Sequence, residues 1–501
     1  MANIVRHARA IWWIKRDLRL ADNAALSAAL ERSREVLPLF CEEPSLVAAP
    51  DYSAMHVSAW REGLQSLRER LRRLHADLYF SSAEVIGTLT ALHARLPFQA
   101  IFAHEEIGIK PTYDRDLAVA AWCAERGIGY FEFPQSSVKR GGVNRDRYGE
   151  LWRERIAGTT PLAPPRRFPM SAEVRTACER TPISAPKAGK LWQPVSETAA
   201  EETLASFLRD RGRHYSGGIS SPNTAFHHGS RLSVHLAWGT ITARLAWHAV
   251  QARLRNLDGD EQRSQWARSL QNFTSRLHWR DHFTQRMESE PELEKQALHP
   301  AYRDVPYEDD LNLLAAWVEG RTGFPMVDAV MRCLAATGFM NFRMRALAVS
   351  FACHALHLDW RTIHNPLAKV FRDFEPGIHF NQLQMQAGVV GWNAIRVYSP
   401  AKQFLEQDPR ATFVKRWLPE LRDHSADRIA AHADEPISGY PPPIVDFRMR
   451  TAEMKAILFE LRRSADPAVT AAVYRKHGSR TKQATTRRPK KPPRADQPTL
   501  F

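Results

Sequence analysis

The residues best placed to do chemistry lie in two stretches. Gly320 to Arg361 reads as two consecutive helices whose apolar face is interrupted by polar groups. Pro325 suits a first helical position, where its missing N–H costs nothing. Val327, Val330, Met331 and Leu334 recur at the spacing of one buried face, and Gly338 ends that helix. The next helix, about 340–357, is apolar yet carries Arg343 and Arg345. Two positions apart on a helix is about 200°, so these arginines point to opposite sides. Whichever faces inward requires a carboxylate or a bound anion. Phe371 to Gln382 (FRDFEPGIHFNQ) supplies Asp373 and Glu375. Either could satisfy the inward arginine, and such a pair beside a redox ring would act on charge developing there. Metal binding by Asp373, Glu375 and His379 is a weak rival, with a single histidine and a proline between.

Two further segments offer anion contacts. His228-Gly229-Ser230-Arg231-Leu232-Ser233 precedes an apolar helix at 234–238. Hydroxyls, a glycine and an arginine at a helix start provide what a pyrophosphate needs: free N–H groups, close approach and a positive dipole end. Ordinary Ser-capped helices share the pattern. In Ser275 to Phe283 (SRLHWRDHF), Arg276 and Arg280 share one helical face with Trp279 beside it. Basic residues interleaved with an aromatic suit phosphate contact and base stacking. A core tryptophan flanked by snorkelling arginines would look the same.

The elements that must position these residues follow from the rest of the chain. Its 501 residues suit two domains, and a net charge of +15 points to a polyanionic partner, nucleic acid before anionic membrane. The five cysteines are scattered without metal-ligand spacing, so no zinc or Cys-ligated cluster is expected, and a reducing cytoplasm fits. Lys15, Arg16 and Asp17 interrupt the first apolar run, so no secretory signal is expected, and no apolar run of about 18 residues predicts a membrane span. Short apolar runs at 10–14, 36–40, 77–80, 100–103 and 130–133 alternate with helical patterns at 24–30 and 56–74, the latter with arginines on its wet side. That alternation predicts a parallel sheet covered on both faces, ending near residue 135. No G-x-G-x-x-G follows the first strand. Prolines between 161 and 194 predict an extended linker, assigned to 136–198. From 199 to 471 helical patterns dominate. The stretch 472–501 is basic and proline-broken, predicting a disordered tail that either tethers DNA or merely solubilises.

Together these segments resemble the photolyase/cryptochrome family of flavoproteins. The matching stretches are IWWIKRDLRLADNAAL (11–26), GSRLSVHLAWG (229–239), HWRDHF (278–283), EGRTGFPMVDAVMR (319–332), TGFMNFRMR (337–345), LHLDWR (356–361) and RVYSP (396–400), in family order. The resemblance implies a Rossmann-like α/β antenna domain (1–135) and an all-helical domain (199–471) holding FAD. It implies light-driven splitting of cyclobutane pyrimidine dimers in UV-damaged DNA by an electron from reduced flavin. Tyr215, Gly229, Ser230, Arg231, Leu232 and Ser233 would hold FAD phosphates and ribityl. Arg280, Phe342, Arg345, Asp373, Glu375 and His379 would line the flavin, with Arg345 and Asp373 as the ion pair beside it. Trp279, Met385, Arg276, Arg343 and Arg396 would meet lesion or DNA phosphate, and Trp360 would carry electrons. An antenna chromophore of folate or deazaflavin type is open, with His104, Glu105 and Glu106 where family members contact one. The family leans to monomers, here in the cytoplasm and on the nucleoid.

Several positions depart from the family pattern. Gly229 replaces a Thr, and Arg276 replaces a Glu that bonds the lesion. Phe342 replaces an Asn, and Ala346 a Met of the lesion pocket. His379 falls near the flavin N5, where Asn, Asp or Cys is usual. Met385 and Leu383 replace tryptophans, and Tyr307 stands at the outer position of the reduction chain, so only Trp360 is retained. A leucine cannot carry an electron hole, which leaves Trp360 with Tyr398, Trp392 or Tyr307 as the alternative route. The EPGIH–QMQ segment resembles a divergent bacterial type with the same departure. A cryptochrome-like blue-light receptor and a (6-4) photoproduct repair enzyme, with His278 or His282 as proton donor, are the alternatives.

Overall fold

A computed structural model describes residues 6–184, 189–257 and 263–478. Five parallel strands open the chain: β1 (Ala10–Ile14), β2 (Val36–Cys41), β3 (Tyr79–Ser81), β4 (Ala100–His104) and β5 (Gly129–Phe133), in the order β3-β2-β1-β4-β5. Successive side chains on a strand point to opposite faces. Trp12 therefore enters one core with Phe40 and Phe102, while Trp13 enters the other with Leu39 and Leu89. The helices α1 (Ala24–Arg32), α2 (Ala54–Arg72), α3 (Val85–Arg95) and α4 (Lys110–Glu125) cover both faces. The expected sheet is present, with strand ends shifted by one or two residues. The wet side expected for the α2 arginines is breached by Arg68, which is buried and pairs with Asp77.

The proline-rich segment is not uniformly extended. Helix α5 (Ala172–Glu179) fits between Pro169 and Pro182, capped by Ser171, and its end supplies the Cys178 carbonyl to Arg68 at 2.7 Å. Among the described residues after 196, helices are the main elements. The helices that build the site are α6 (Pro222–His228), α7 (Ser233–Ala237), α8 (Arg263–Ser289), α9 (Pro325–Thr337), α10 (Phe342–His354), α11 (Trp360–Val370) and α12 (Pro376–Ala387). A last helix, α13 (Pro467–His477), runs across the expected start of the basic tail. Residues 479–501 lie outside the described residues.

Two glycines permit close approach. At Gly239 (φ +65°) a Cβ would lie 1.9 Å from the Arg16 carbonyl oxygen, where the helical domain meets the end of β1. At Gly377 it would lie 2.7 Å from the Thr284 Cα, so α12 sits directly against α8. Among the described residues no helix is long and apolar enough to cross a membrane.

Candidate cofactor and DNA site

Asn341 caps the start of α10, and its side-chain amide donates to the carbonyls of Ile219 (3.0 Å) and Ser220 (2.7 Å). That anchor fixes Arg345 in the first turn. Arg345 donates to the Met340 carbonyl at 2.6 Å and to Asp373 Oδ2 at 2.9 Å, and its guanidinium lies over Phe371. Asp373 is held in the turn between α11 and α12, where Pro376 opens the helix at its first position. The other oxygen, Asp373 Oδ1, is buried without a partner, as is Asn341 Oδ1.

The second carboxylate serves a second arginine. Glu375 Oε1 lies 2.6 Å from Arg280 Nη2, and Asp281 Oδ1 lies 3.0 Å from Arg280 Nη1. Burial opposes the charge on Arg280, and Glu375 and Asp281 outweigh it, holding the guanidinium above its ordinary value. Asp281 also accepts from the Ser137 hydroxyl at 2.8 Å, tying α8 to the segment that leaves the sheet.

Arg231 is held differently from the two paired arginines. It stands at φ +60°, outside the usual range for a side-chain-bearing residue, with its guanidinium 3.6 Å from the Phe339 ring centre and 5.0 Å from that of Phe226. Burial lowers it to about 10, and Asp373 acts on it only at a distance. No carboxylate among the described residues forms an ion pair with it, and its Nη1 is buried without a partner. His235 is pushed down to about 3 by burial and by Arg231 and Arg372, so it adds no second cation. The Ser230 carbonyl accepts from Arg211 at 3.3 Å, and Arg211 also bonds the Gly229 carbonyl. Leu232 is fully buried in the core, so it can offer a ligand only backbone, whereas Ser233 is exposed. Tyr215 is buried and hydrogen-bonds Arg276.

The residues expected to face DNA differ in exposure. Trp279 is half-buried against His282 and Phe283. Met385 is half-buried on the face of α12 that carries Ile378 and Gln382, while Arg276 and Arg396 are exposed. Arg343 is half-buried with its Nε buried and unpaired, a less open position than the angular argument expects. Phe342, expected at the flavin, is 56% exposed and stands outside the buried cluster. Trp360 is fully buried with Arg361 over its ring, and Leu383 is buried beside the same core. The Tyr307 hydroxyl is buried without a partner.

Sequence reasoning missed two residues here. His379 contacts His364 at 2.9 Å, and His364 contacts Asp51 at 2.6 Å. No sequence signal joins Asp51 to a helix more than 300 residues away. Of the expected antenna contacts, His104 is committed to Asp17 at 2.8 Å and Glu106 to Arg115 at 2.7 Å. Glu105 and Glu106, with Arg16, Gln135, Arg280 and Glu375, line a small pocket between the domains.

Comparison with known proteins agrees with this architecture. Residues 10–144 match the DNA photolyase domain model, and residues 273–459 match the FAD binding domain of DNA photolyase. The deoxyribodipyrimidine photo-lyase of Synechococcus sp. is 30% identical over 476 residues, covering 90% of this chain and 96% of that protein. That of Halobacterium salinarum is 28% identical, covering 89% and 98%. An archaeal photolyase from Sulfolobus tokodaii, solved with two FAD molecules, superposes with a TM-score of 0.75 at 26% identity, covering 90% of this chain and all of that one. The chain belongs to the DNA photolyase family, which includes the cryptochromes.

Proposed function

We propose that this chain is a deoxyribodipyrimidine photolyase that binds UV-damaged DNA and splits cyclobutane pyrimidine dimers with light. The observation that carries the reading is a set of three buried polar atoms without a partner, on two residues expected at the cofactor and on the cap of α10: Arg231 Nη1, Asp373 Oδ1 and Asn341 Oδ1. Buried polar groups are ordinarily paired, and each orphan costs about 1–3 kcal/mol. A dinucleotide with an anionic pyrophosphate and a polar ring edge matches these donors and acceptors, so the residues present fit FAD. When bound, FAD supplies the photochemistry, an electron delivered to the lesion and returned.

The chain's own residues bind, orient and exclude water. Arg231, with the backbone from Gly229 to Ser233, would hold the pyrophosphate, and Tyr215 would stand beside it. Arg345, Asp373, Arg280, Glu375 and His379 would border the isoalloxazine, fixing the field around it. Trp279 and Met385 would wall the lesion, which leaves the stack at lower cost than an undamaged base. Arg343, Arg276 and Arg396 would meet phosphates, and Trp360 would pass electrons inward. The excess of positive charge speeds encounter with DNA. An antenna chromophore would lie near Glu105 and Glu106, in keeping with the second FAD of the Sulfolobus photolyase. We place the protein in the cytoplasm, as a monomer on the nucleoid.

Leu383, where the reduction chain has a tryptophan, favours a cryptochrome-like receptor as the second reading. A repair assay with chemically reduced, FAD-loaded protein bypasses that chain and separates the two. Light-dependent loss of cyclobutane dimers, or of (6-4) photoproducts, identifies the lesion. Flavin photochemistry with neither lesion repaired would favour the receptor.

A further inference from the structure

A line of three side chains joins α12 to the α/β domain. His379 Nε2 lies 2.9 Å from His364 Nδ1, and His364 Nε2 lies 2.6 Å from Asp51 Oδ1. His379 stands on α12 and His364 on α11, while Asp51 precedes α2, so the line crosses the domain boundary. His379 is 7% exposed and His364 9%. Phe374 and Phe380 pack on both imidazoles, and Phe371 on His379, which keeps bulk water from the middle of the line.

Counting hydrogens shows what the line can do. Ionised Asp51 only accepts, so His364 Nε2 carries a hydrogen. With both rings neutral, His364 Nδ1 must accept from His379 Nε2–H. The remaining nitrogen, His379 Nδ1, is then an acceptor. A proton arriving at His379 Nδ1 reverses the middle bond: the Nε2 hydrogen of His379 passes to His364 Nδ1. His379 stays neutral with its hydrogen now on Nδ1, and His364 becomes an imidazolium beside the Asp51 carboxylate. One proton enters at one end and one positive charge appears at the other; no electron moves, and the reverse step returns the proton.

We propose that Asp51, His364 and His379 form a proton relay, in which His379 exchanges a proton with the group bound at the Arg345–Asp373 pair while His364 and Asp51 carry the compensating charge. This rests on the reading of that pair as the flavin site. His364 and Asp51 act through His379 and are positioning residues. Burial, His364 and Arg345 hold the His379 ring well below the ordinary imidazole range, so charge does not rest there. The other titratable groups facing the line are Arg345 from α10, Tyr52 beside Asp51, and Glu294. Burial and the nearby Asp51 push the Glu294 carboxyl up to about 7, placing a group that titrates near neutrality at the outer end.

The test uses the full chain labelled with 15N-histidine, with and without FAD, as wild type, Asp51→Asn and His364→Gln. Asp51→Asn keeps the shape and an acceptor but removes the charge that stabilises the imidazolium. The titration midpoint of the coupled imidazole nitrogens should fall by about one unit or more, a tenfold loss of proton affinity. The midpoint at which the photoreduced bound flavin changes its visible spectrum should fall in the same direction, with FAD affinity by fluorescence within about threefold of wild type. In His364→Gln the flavin midpoint should no longer respond to Asp51→Asn. Unshifted nitrogen and flavin midpoints in Asp51→Asn would overturn the relay, as would a flavin midpoint that still responds to Asp51 in the His364→Gln background. If the chain takes up no FAD, the flavin reading itself fails. The nitrogen titration of the unloaded chain then decides alone: a fall supports the linkage, and no shift refutes it.

Discussion

Arg345 holds one carboxylate oxygen of Asp373 at 2.9 Å and leaves the other buried without a partner. The free oxygen is an acceptor for a bound donor, and the carboxylate charge is already balanced. Asp373→Asn removes that charge and puts an amide against the guanidinium. FAD affinity, measured by fluorescence titration, should fall tenfold or more, since hydrogen bonds to charged groups contribute about 1.5–3 kcal/mol. Affinity for damaged DNA should change by less than about twofold. The opposite pattern would contradict the assignment of this pair to the flavin.

Arg231 is a half-buried cation with no carboxylate partner among the described residues, held at a positive φ. Its removal from the empty protein relieves desolvation and backbone strain but loses contacts with Phe226 and Phe339, worth about 0.5–2 kcal/mol each. These terms oppose one another, so Arg231→Ala should change the unfolding free energy of the flavin-free chain by about 1 kcal/mol or less. FAD affinity should fall by about a hundredfold, as expected for a charge-assisted phosphate contact. A variant that unfolds readily yet binds FAD normally would show that Arg231 serves packing alone.

His235 makes stability depend on pH. Its value is pushed down to about 3 in the fold by burial, Arg231 and Arg372, against 6.5 when free. Between those values the unfolded chain binds a proton that the folded chain refuses, so this residue's contribution is intact above pH 6.5 and is lost as pH falls towards 3. The loss approaches about 1.4 kcal/mol per pH unit below the free value. Urea unfolding of His235→Gln should therefore show a flatter decline between pH 6.5 and 5 than the wild type. Identical slopes would mean that the imidazole is already protonated in the fold.

Arg343 is half-buried at its stem and belongs, on this account, to the DNA face. Arg343→Ala should weaken binding to damaged and undamaged DNA alike. The slope of log affinity against log salt should become shallower by about one. A loss confined to lesion-bearing DNA would place this residue in the lesion pocket instead.

Helical geometry makes legible that one of Arg343 and Arg345 faces inward and needs a carboxylate from 373 or 375. Spacing does not say which arginine or which carboxylate, and the pair Arg345–Asp373 follows from the family resemblance. Packing of α12 against α8, permitted by Gly377, brings Glu375 to Arg280 and leaves Asp373 for Arg345. The strands can be read from short apolar runs, since both faces of a parallel sheet are buried. Helix Ala172–Glu179 escapes notice because the prolines around it dominate the reading of a segment that leaves two helical turns between them. Asp51 and His364 escape for a different reason: their contact joins residues 313 positions apart, from the α/β domain and the helical domain. Leu232 shows the converse, a motif position whose side chain belongs wholly to the core.

The central claim is that Arg231 and the Arg345–Asp373 pair hold a flavin that repairs DNA with light. The most direct measurement gives chemically reduced, FAD-loaded protein UV-irradiated DNA and counts cyclobutane pyrimidine dimers before and after blue or near-UV illumination, on single and double strands. The account predicts that dimers disappear under illumination and persist in the dark. Dimers that persist under illumination on both substrates, with reduced flavin bound, would contradict it.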